Sequence, residues 1–307
     1  MSEARPGRVA VVGSGLMGAQ IGAEYALGAY EVVLVTRSQE TAQRSVERAR
    51  AALRHLAGSG LAATSAAQAA EARLQAGQSV ADASQGAWLV VESLPEDMDL
   101  KVGVLSQAVQ AEPDVLIASN TSSLSIGELG RRLGAEERTL GTHYWNPPTL
   151  MPLVEVVAGP RTARAALESV EAVLRRLGKE PVRAPDIPGF IWNRLQLALL
   201  REAVGMVQAG EADPETIDLI LTRGLGRRWS LVGPFQTVAL GGPATFAAVA
   251  EQLWPRLHQE VPSQAMLELP LPQAETLHTL REGRDRALAA LLRAEQAERT
   301  GSLSPPS

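Results

Sequence analysis

The stretch that decides the fold is Val9-Ala10-Val11-Val12-Gly13-Ser14-Gly15-Leu16-Met17-Gly18, near the start of a chain of 307 residues. Four small apolar residues run directly into a complete Gly-x-Gly-x-x-Gly motif. Gly13 permits a tight turn, Gly15 lets the backbone approach a pyrophosphate, and Gly18 allows the following helix to pack closely against the strand. The motif alone also fits a plain strand-to-helix turn, so its meaning depends on the residues around it.

The residues around the motif favour dinucleotide binding. A strand is predicted before it, a helix after it, and a second apolar run follows at residues 31–35. The N-terminus of the helix offers free N–H groups and the positive end of its dipole to phosphates. We therefore place Leu16 and Met17 beside the cofactor together with the three glycines.

Short β-branched runs alternate with helical stretches through the first part of the chain, a pattern typical of a parallel sheet covered on both faces. Residues 15–28 and 39–55 are long enough for crossover helices. Residues 65–76 are predicted as a further helix, in which Ser65 and Gln68 form a capping box. The predicted strands are residues 8–12, 31–35, 88–92, 115–119, 139–143 and 153–157.

The pattern changes near residue 184, where Pro185, Pro188 and Gly189 interrupt the chain. Beyond Phe190 the periodicity is helical, and Asp213 is predicted to cap a helix with proline in its first turn. The sequence thus predicts an α/β Rossmann domain with a mostly parallel, doubly wound sheet at residues 1–184. An all-α C-terminal domain follows at residues 185–299, and a flexible tail at residues 300–307.

Composition and charge exclude several classes of protein. A chain with 45% apolar and 21% charged residues is globular rather than disordered. The net charge of -5 argues against nucleic-acid binding. The chain has no cysteine, which excludes disulfides and thiolate metal sites, and we predict no metal. The apolar run at residues 187–207 contains Arg194, Arg201 and Glu202, so we expect no membrane span and a soluble, cytoplasmic protein.

The end of the second strand carries Thr36-Arg37-Ser38, where NAD-binding proteins usually have an acidic residue for the adenosine ribose. Without a carboxylate, nothing repels a 2′-phosphate, and Arg37 with two hydroxyl groups is able to bind one. These three residues favour NADP over NAD. The alternative is that Arg37 stacks on adenine or points to solvent.

His143 and Glu155 are the candidate catalytic residues. His143 ends a predicted strand, at the sheet edge where ligands bind in open α/β sheets. Glu155 lies inside the apolar run at residues 153–157, where an unpaired carboxylate is costly to bury. A histidine oriented by a carboxylate is suited to take the proton of an alcohol as hydride leaves the carbon. A structural ion pair or an outward-facing glutamate is equally compatible with the spacing.

Two polar features complete the candidate site. Ser119-Asn120-Thr121-Ser122-Ser123 follows a predicted strand, and its side chains are able to hold a substrate oxygen or to cap the next helix. Asn193 lies near the start of an apolar helix, and its buried amide needs a polar partner.

Jointly, these residues resemble the 3-hydroxyacyl-CoA dehydrogenase family. Four segments carry the resemblance in order: the glycine motif at Gly13, Ser-Asn-Thr-Ser-Ser at Ser119, His-Tyr-Trp-Asn-Pro at His143 with Leu-Val-Glu-Val at Leu153, and Pro-Gly-Phe-Ile-Trp-Asn-Arg at Pro188. The resemblance covers about Arg8 to Gly242 and implies a Rossmann domain with a helical domain that forms a homodimer.

The resemblance also implies roles for individual residues. His143 becomes the general base and Glu155 its orienting partner. Ser122 and Asn193 become ligands of the substrate oxygen. Glu92, Lys101 and Asn120 are assigned to the cofactor, the first two near the nicotinamide.

Departures from the family pattern bear on the substrate. Following the family norm, we predict an NAD(P)-dependent dehydrogenase whose leading substrate is a 3-hydroxyacyl-CoA, oxidised or reduced at the 3-position, with a free small hydroxy acid as the alternative. Residues 50–78, where members that bind acyl-CoA have lysines, contain none here, although Arg54 and Arg73 offer positive charge. Residues 94–97 and the segment 224–235 resemble the branch with L-gulonate dehydrogenase, lambda-crystallin and carnitine dehydrogenase. That branch implies a free small hydroxy acid, with Arg227 or Arg228 as a partner for its carboxylate, and a non-catalytic dinucleotide-binding protein is a further alternative.

Overall fold

The computed structural model describes residues 7–269 and 271–299, and these form two compact units. The first unit comprises the chain up to Ile191 and again from His278, and the second runs from Trp192 to Leu277. This differs from the predicted division after residue 184, because a strand extends the sheet to Pro185 and the C-terminal helix returns to the first unit. The predicted tail at residues 300–307 lies outside the described residues.

The first unit is built on one sheet of eight strands. They are β1 (Arg8–Val12), β2 (Glu31–Val35), β3 (Leu74–Gly77), β4 (Ala87–Glu92), β5 (Leu116–Ser119), β6 (Thr139–Tyr144), β7 (Leu153–Ala158) and β8 (Glu180–Pro185). Their order in the sheet is β3-β2-β1-β4-β5-β6-β7-β8. Only the β6–β7 pair is antiparallel among these neighbours, so the predicted mostly parallel Rossmann sheet is confirmed. The order reverses between β1 and β4, which opens a crevice at their carboxyl ends.

Helices cover both faces of this sheet. They are α1 (Leu16–Leu27), α2 (Gln39–Gly58), α3 (Thr64–Glu71), α4 (Val80–Ser84), α5 (Met98–Ala111), α6 (Ile126–Leu133) and α7 (Arg164–Arg176). Side chains of Ser38, Ser79, Asp97 and Ser125 accept hydrogen bonds from first-turn N–H groups and fix the starts of α2, α4, α5 and α6. Alternate residues of β1 enter two separate cores, Val9 and Val11 on one face and Ala10 and Val12 on the other.

The sequence prediction was wrong at two edge strands and one cap. Residues 74–77 form β3 instead of ending a helix, because they pair with β2 along the sheet edge. The predicted capping box is absent, since α3 begins at Thr64 after Ala63, whose side chain makes no cap. The unpredicted β8 contains Pro181 and Pro185, which are tolerated because β8 pairs on one side only, with β7.

The second unit is helical, which confirms the predicted all-α domain. It contains α8 (Trp192–Gln208), α9 (Pro214–Ile220), a π-helical turn (Leu221–Leu225), α10 (Gly226–Trp229), α11 (Pro234–Gly241), α12 (Pro243–Leu253) and the start of α13 (Ala274–Arg299). Asp213 caps α9 through Thr216 N–H at 2.8 Å, as predicted. Among the described residues, we find no helix with both the length and the apolar character needed to cross a lipid bilayer.

Candidate active site

A cleft of about 890 Å³ opens at the carboxyl ends of β1 and β4, where the strand order reverses. We call it the cofactor cleft. Its walls are formed by residues 12–17, 35–37 and 93–96, with Thr41, Asn120, Ser122 and Ser123. Gly13, Gly15, Leu16 and Met17 line this cleft, whereas Gly18 does not line it and lies against the Gly13 carbonyl.

The glycine turn has the shape of a phosphate cradle. Gly13 has a φ of +86°, and a Cβ there would lie 2.6 Å from the Ser93 carbonyl oxygen. A Cβ on Gly18 would lie 2.6 Å from the Gly13 carbonyl oxygen. At Gly15, a Cβ would meet nothing within 4 Å, and no side chain caps the N-terminus of α1 there. The open space and the uncapped helix end fit a dinucleotide pyrophosphate.

The end of β2 places two of the three predicted selectivity residues on the cofactor cleft, Thr36 and Arg37. The Thr36 hydroxyl is bonded to the Thr41 hydroxyl at 2.6 Å, and Ser38 caps α2. Both hydroxyl groups therefore make local hydrogen bonds, and the predicted role of these residues at a 2′-phosphate stays a prediction. The exposed Arg37 guanidinium forms no hydrogen bond or ion pair with any residue that the structure describes.

Glu92 and Lys101 form a buried ion pair, with Lys101 Nζ 2.6 Å from Glu92 Oε1. The remaining oxygen of Glu92 accepts a hydrogen bond from the Ser119 hydroxyl at 2.5 Å. Both side chains are almost completely buried, and neither lines the cofactor cleft. Their polar atoms join β4, β5 and α5, and Lys101 Nζ also lies 3.4 Å from the carboxylate of Glu96, which lines the cleft; a position of the pair near the nicotinamide stays a prediction.

Glu96 is a residue of the cleft that the sequence interpretation missed. Its Oε1 accepts hydrogen bonds from the Thr121 hydroxyl at 2.6 Å and from Ser122 N–H and Ser123 N–H at 2.9 and 2.7 Å. Burial raises the pKa of Glu96, but the hydrogen bonds from Thr121 and Ser123, the charge of Lys101 and the Ser122 N–H outweigh it, so that the pKa is lowered. Ionised Glu96 therefore holds the loop that carries Ser122.

Asn120 connects the cofactor cleft to the strand that carries His143. Its Oδ1 accepts a hydrogen bond from Tyr144 N–H at 2.9 Å, and its Nδ2 donates to the Ser93 hydroxyl at 3.3 Å. Asn120 and Ser122 both line the cleft.

His143 and Glu155 meet as predicted. They are directly opposite in the β6–β7 ladder, and His143 Nδ1 lies 2.7 Å from Glu155 Oε2. Both side chains are at most 5% exposed. The other oxygen of Glu155 accepts a hydrogen bond from Ile191 N–H at 3.0 Å. With Nδ1 directed at the carboxylate, Nε2 is the nitrogen that can exchange a proton with an alcohol.

Phe190 packs edge-on against the His143 ring, with ring centroids 5.6 Å apart. Its backbone has a φ of +50°, a conformation that is strained for a bulky residue. Strained residues concentrate at functional sites, where packing holds them in place. His143 itself does not line the cofactor cleft. The neighbouring Tyr144 N–H donates a hydrogen bond to Asn120, and Asn120 does line the cleft. Asn193 is half-buried in α8 of the second unit.

Hydride exchange between an alcohol and a nicotinamide requires a dinucleotide cradle and a base for the hydroxyl proton. The fold and the site together define an NAD-dependent dehydrogenase. The chain belongs to the 3-hydroxyacyl-CoA dehydrogenase family: its residues 8–187 match the NAD binding domain of that family and residues 189–276 match the C-terminal domain.

Individual relatives act on different substrates. L-carnitine dehydrogenase of Streptomyces coelicolor is 38% identical over 253 residues, which cover 81% of this chain and 78% of the relative. The crystal structure of 5-formyl-3-hydroxy-2-methylpyridine 4-carboxylic acid 5-dehydrogenase, an NAD+ dependent dismutase, has a TM-score of 0.84 at 29% identity and covers 94% of this chain and 97% of its own. (S)-3-hydroxybutyryl-CoA dehydrogenase of Ralstonia eutropha has a TM-score of 0.67 at 32% identity, with 81% and 87% covered.

Proposed function

We propose that the enzyme oxidises the hydroxyl group of a small, free hydroxy carboxylic acid. The observation that carries this proposal concerns residues 50–78, the region where acyl-CoA members have lysines. The arginines in this region are bonded to other groups of the protein. Arg54 lies 3.4 Å from the Glu71 carboxylate, and Arg73 donates to the Ala26 carbonyl oxygen at 3.3 Å. Arg50 pairs with Glu47 at 2.7 Å. Arg50 and Arg54 are paired with carboxylates and Arg73 is bonded to a carbonyl oxygen, so this region offers the phosphates of coenzyme A less free positive charge than a set of unpaired lysines would.

The relatives support the same substrate class. The carnitine dehydrogenase acts on a free hydroxy acid with a carboxylate, and the pyridine carboxylate dehydrogenase takes its name from a free carboxylic acid. The second candidate is a 3-hydroxyacyl-CoA, which the hydroxybutyryl-CoA dehydrogenase and the family name favour.

In the proposed reaction, His143 accepts the hydroxyl proton at Nε2 while Glu155 fixes the ring and stabilises the charge that develops on it. The nicotinamide, when bound, supplies the hydride acceptor. By its motif position, Ser122 is proposed as a ligand of the substrate oxygen. In the reverse direction, His143 returns the proton to the oxygen of the ketone.

A substrate panel tests the proposal. The purified enzyme is supplied with NAD and either free hydroxy acids, including carnitine, or 3-hydroxybutyryl-CoA, and formation of reduced cofactor is followed by absorbance. We expect kcat/KM for at least one free acid to exceed that for the thioester by about a hundredfold or more. A higher kcat/KM for the thioester than for every free acid would establish the second candidate instead.

For the cofactor, we propose that Arg37 allows the site to use NADP as well as NAD. The support is a cationic side chain on the cleft with no protein partner among the described residues, next to Thr36 where a carboxylate would repel a phosphate. Arg37→Ala should raise the KM for NADP by about tenfold or more and leave the KM for NAD within about threefold. Equal effects on both cofactors would show that Arg37 does not recognise the 2′-phosphate.

We also propose a homodimer formed through the helical unit. Its support is a set of strongly exposed apolar side chains in that unit, which a monomer rarely leaves in water. The most exposed are Leu231, Phe235, Leu240, Trp254 and Leu267, each at least 69% exposed. Light scattering should give twice the monomer mass, and Phe235→Glu should reduce it; a monomer at micromolar concentration would contradict the proposal.

A further inference from the structure

Lys179 is one of only two lysines in the chain, and it is buried at 7% exposure. Its ammonium donates to the carbonyl oxygens of Pro148 at 2.6 Å and Met151 at 2.9 Å. It also lies 2.5 Å from Glu24 Oε1. An ammonium has three N–H donors, and here all three have a partner.

Two of these partners belong to the loop at residues 145–152, which we call the dyad loop. It joins β6, which carries His143, to β7, which carries Glu155. Residues 147–150 of the loop are buried, and Leu150 packs against Leu56 and Ala289. Buried loop carbonyls need hydrogen-bond donors, and Lys179 supplies one to each end of the segment from Pro148 to Met151.

The third partner, Glu24, lies on α1, the helix that begins at the phosphate cradle. One turn earlier on the same helix, Gln20 Oε1 accepts a hydrogen bond from the Thr149 hydroxyl at 3.3 Å. Residues four apart lie on one helix face, so α1 contacts the dyad loop through both side chains. The ammonium group of Lys179 thus joins the cofactor-binding helix to the loop between the two dyad strands.

We propose that Lys179, held by Glu24, is a positioning residue for the His143–Glu155 dyad. It acts through the backbone of the dyad loop, which sets how the ends of β6 and β7 present the two side chains. Lys179 does not line the cofactor cleft, so we expect it to make no direct contact with NAD. The inference rests on the proposed role of His143 as the base, and it adds a residue that the family motifs quoted above do not include.

The variant Lys179→Met keeps a long side chain but removes the three donors. Its matched control is Arg175→Met, which removes a cation of α7 that pairs with Glu171 at 3.2 Å and does not contact the dyad loop. Two readouts are compared with those of the wild type. One is the Nδ1–H proton resonance of His143, identified by its loss in His143→Asn. The other is kcat per folded enzyme, with its deuterium isotope effect for substrate labelled at the carbinol carbon.

For Lys179→Met we expect the His143 resonance to shift or broaden, kcat to fall about ten- to a hundredfold and the isotope effect to rise, because a misplaced base slows the chemical step. The Kd for NAD should stay within about threefold of the wild type, since Lys179 lies outside the cleft. Arg175→Met should match the wild type in every readout. An unchanged resonance and an unchanged isotope effect in folded Lys179→Met would overturn the proposal.

Glu24→Gln is a second variant that tests the same proposal if Lys179→Met does not fold. It keeps an acceptor for Lys179 and removes the charge that fixes it, so we expect the same changes at smaller size, with kcat lowered about two- to fivefold. Wild-type values of both readouts in Glu24→Gln, with Lys179→Met unfolded, would count against the proposal. If the wild type turns over no substrate of the panel, the proposed function fails, while the resonance still decides whether Lys179 positions His143.

Discussion

His143 and Glu155 are cross-strand partners in the β6–β7 ladder, and their side chains are joined by a contact of 2.7 Å between Nδ1 and Oε2. The antiparallel register therefore creates the dyad, since opposite residues of such a pair point to the same face of the sheet. Ile191 N–H holds the second carboxylate oxygen at 3.0 Å. The geometry fixes which imidazole nitrogen faces the carboxylate and leaves the other for the substrate.

Glu155→Gln tests the orienting role. The amide oxygen of the glutamine side chain is able to accept the hydrogen bond from Ile191 N–H, which leaves its NH₂ group facing His143 Nδ1. That arrangement places the ring proton on Nε2, so the nitrogen needed as base is blocked. We expect kcat to fall about a hundredfold or more, with the Kd for NAD within about threefold, measured by steady-state kinetics and calorimetry. A variant with wild-type kcat would show that the carboxylate does not set the tautomer.

The two glycines of the cradle should respond differently to alanine. Gly15→Ala adds a methyl group to open space, so thermal stability should be unchanged while the Kd for NAD rises about tenfold or more. Gly13→Ala places a Cβ 2.6 Å from the Ser93 carbonyl at a φ of +86°, so it should destabilise the fold by about 1–3 kcal/mol. Melting curves and NAD titrations separate the two effects. Unimpaired NAD binding by Gly15→Ala would remove that glycine from the phosphate site.

Glu24 gives the free energy of unfolding a defined pH dependence. Burial raises the pKa of Glu24 from 4.5 to about 7, although Lys179 opposes the shift. The folded protein therefore binds this proton more tightly than the unfolded chain, and the corresponding stability is lost as the pH rises from 4.5 to about 7. The loss amounts to about 3 kcal/mol at most.

In Glu24→Gln this contribution is absent. Urea unfolding at about pH 5 and about pH 8 should therefore show a smaller decrease in stability for the variant than for the wild type. Arg8→Met serves as the control here, because the Arg8 side chain donates to the Gln85 carbonyl oxygen and not to a carboxylate, and it should show the wild-type difference between the two pH values. Parallel behaviour of Glu24→Gln and the wild type would mean that Glu24 does not titrate in this range.

The sequence predicted the central strands well and the edge strands poorly, for a physical reason. β1, β2 and β4 are buried on both faces, so each reads as a continuous apolar run. β3, with the sequence Leu-Gln-Ala-Gly, has no β-branched residue, and β8 has two prolines. Both edge strands form because each pairs with one neighbouring strand. Strand pairing is a tertiary property that the local sequence pattern does not show.

The same distinction applies to the site. His143 and Glu155 were predictable because a charged residue inside an apolar strand requires a partner. The role of Glu96 was not, because its partners at residues 121–123 follow a different strand, and the resemblance at residues 94–97 does not show what its side chain binds. The ion pair of Lys179 with Glu24 likewise joins distant parts of the chain. A lysine near a helix end in sequence is normally a solvated residue, and only the packing shows that this one is buried.

Replacement of His143 is the most direct test of the account. His143→Ala should lower the rate constant of hydride transfer from the best substrate of the panel by about a hundred- to ten-thousandfold, the usual contribution of a general base, while the Kd for NAD stays within about threefold. The measurement is single-turnover reduction of NAD by enzyme in excess, which isolates hydride transfer from product release. Turnover by folded His143→Ala at the wild-type rate would contradict the assignment of this histidine as the base.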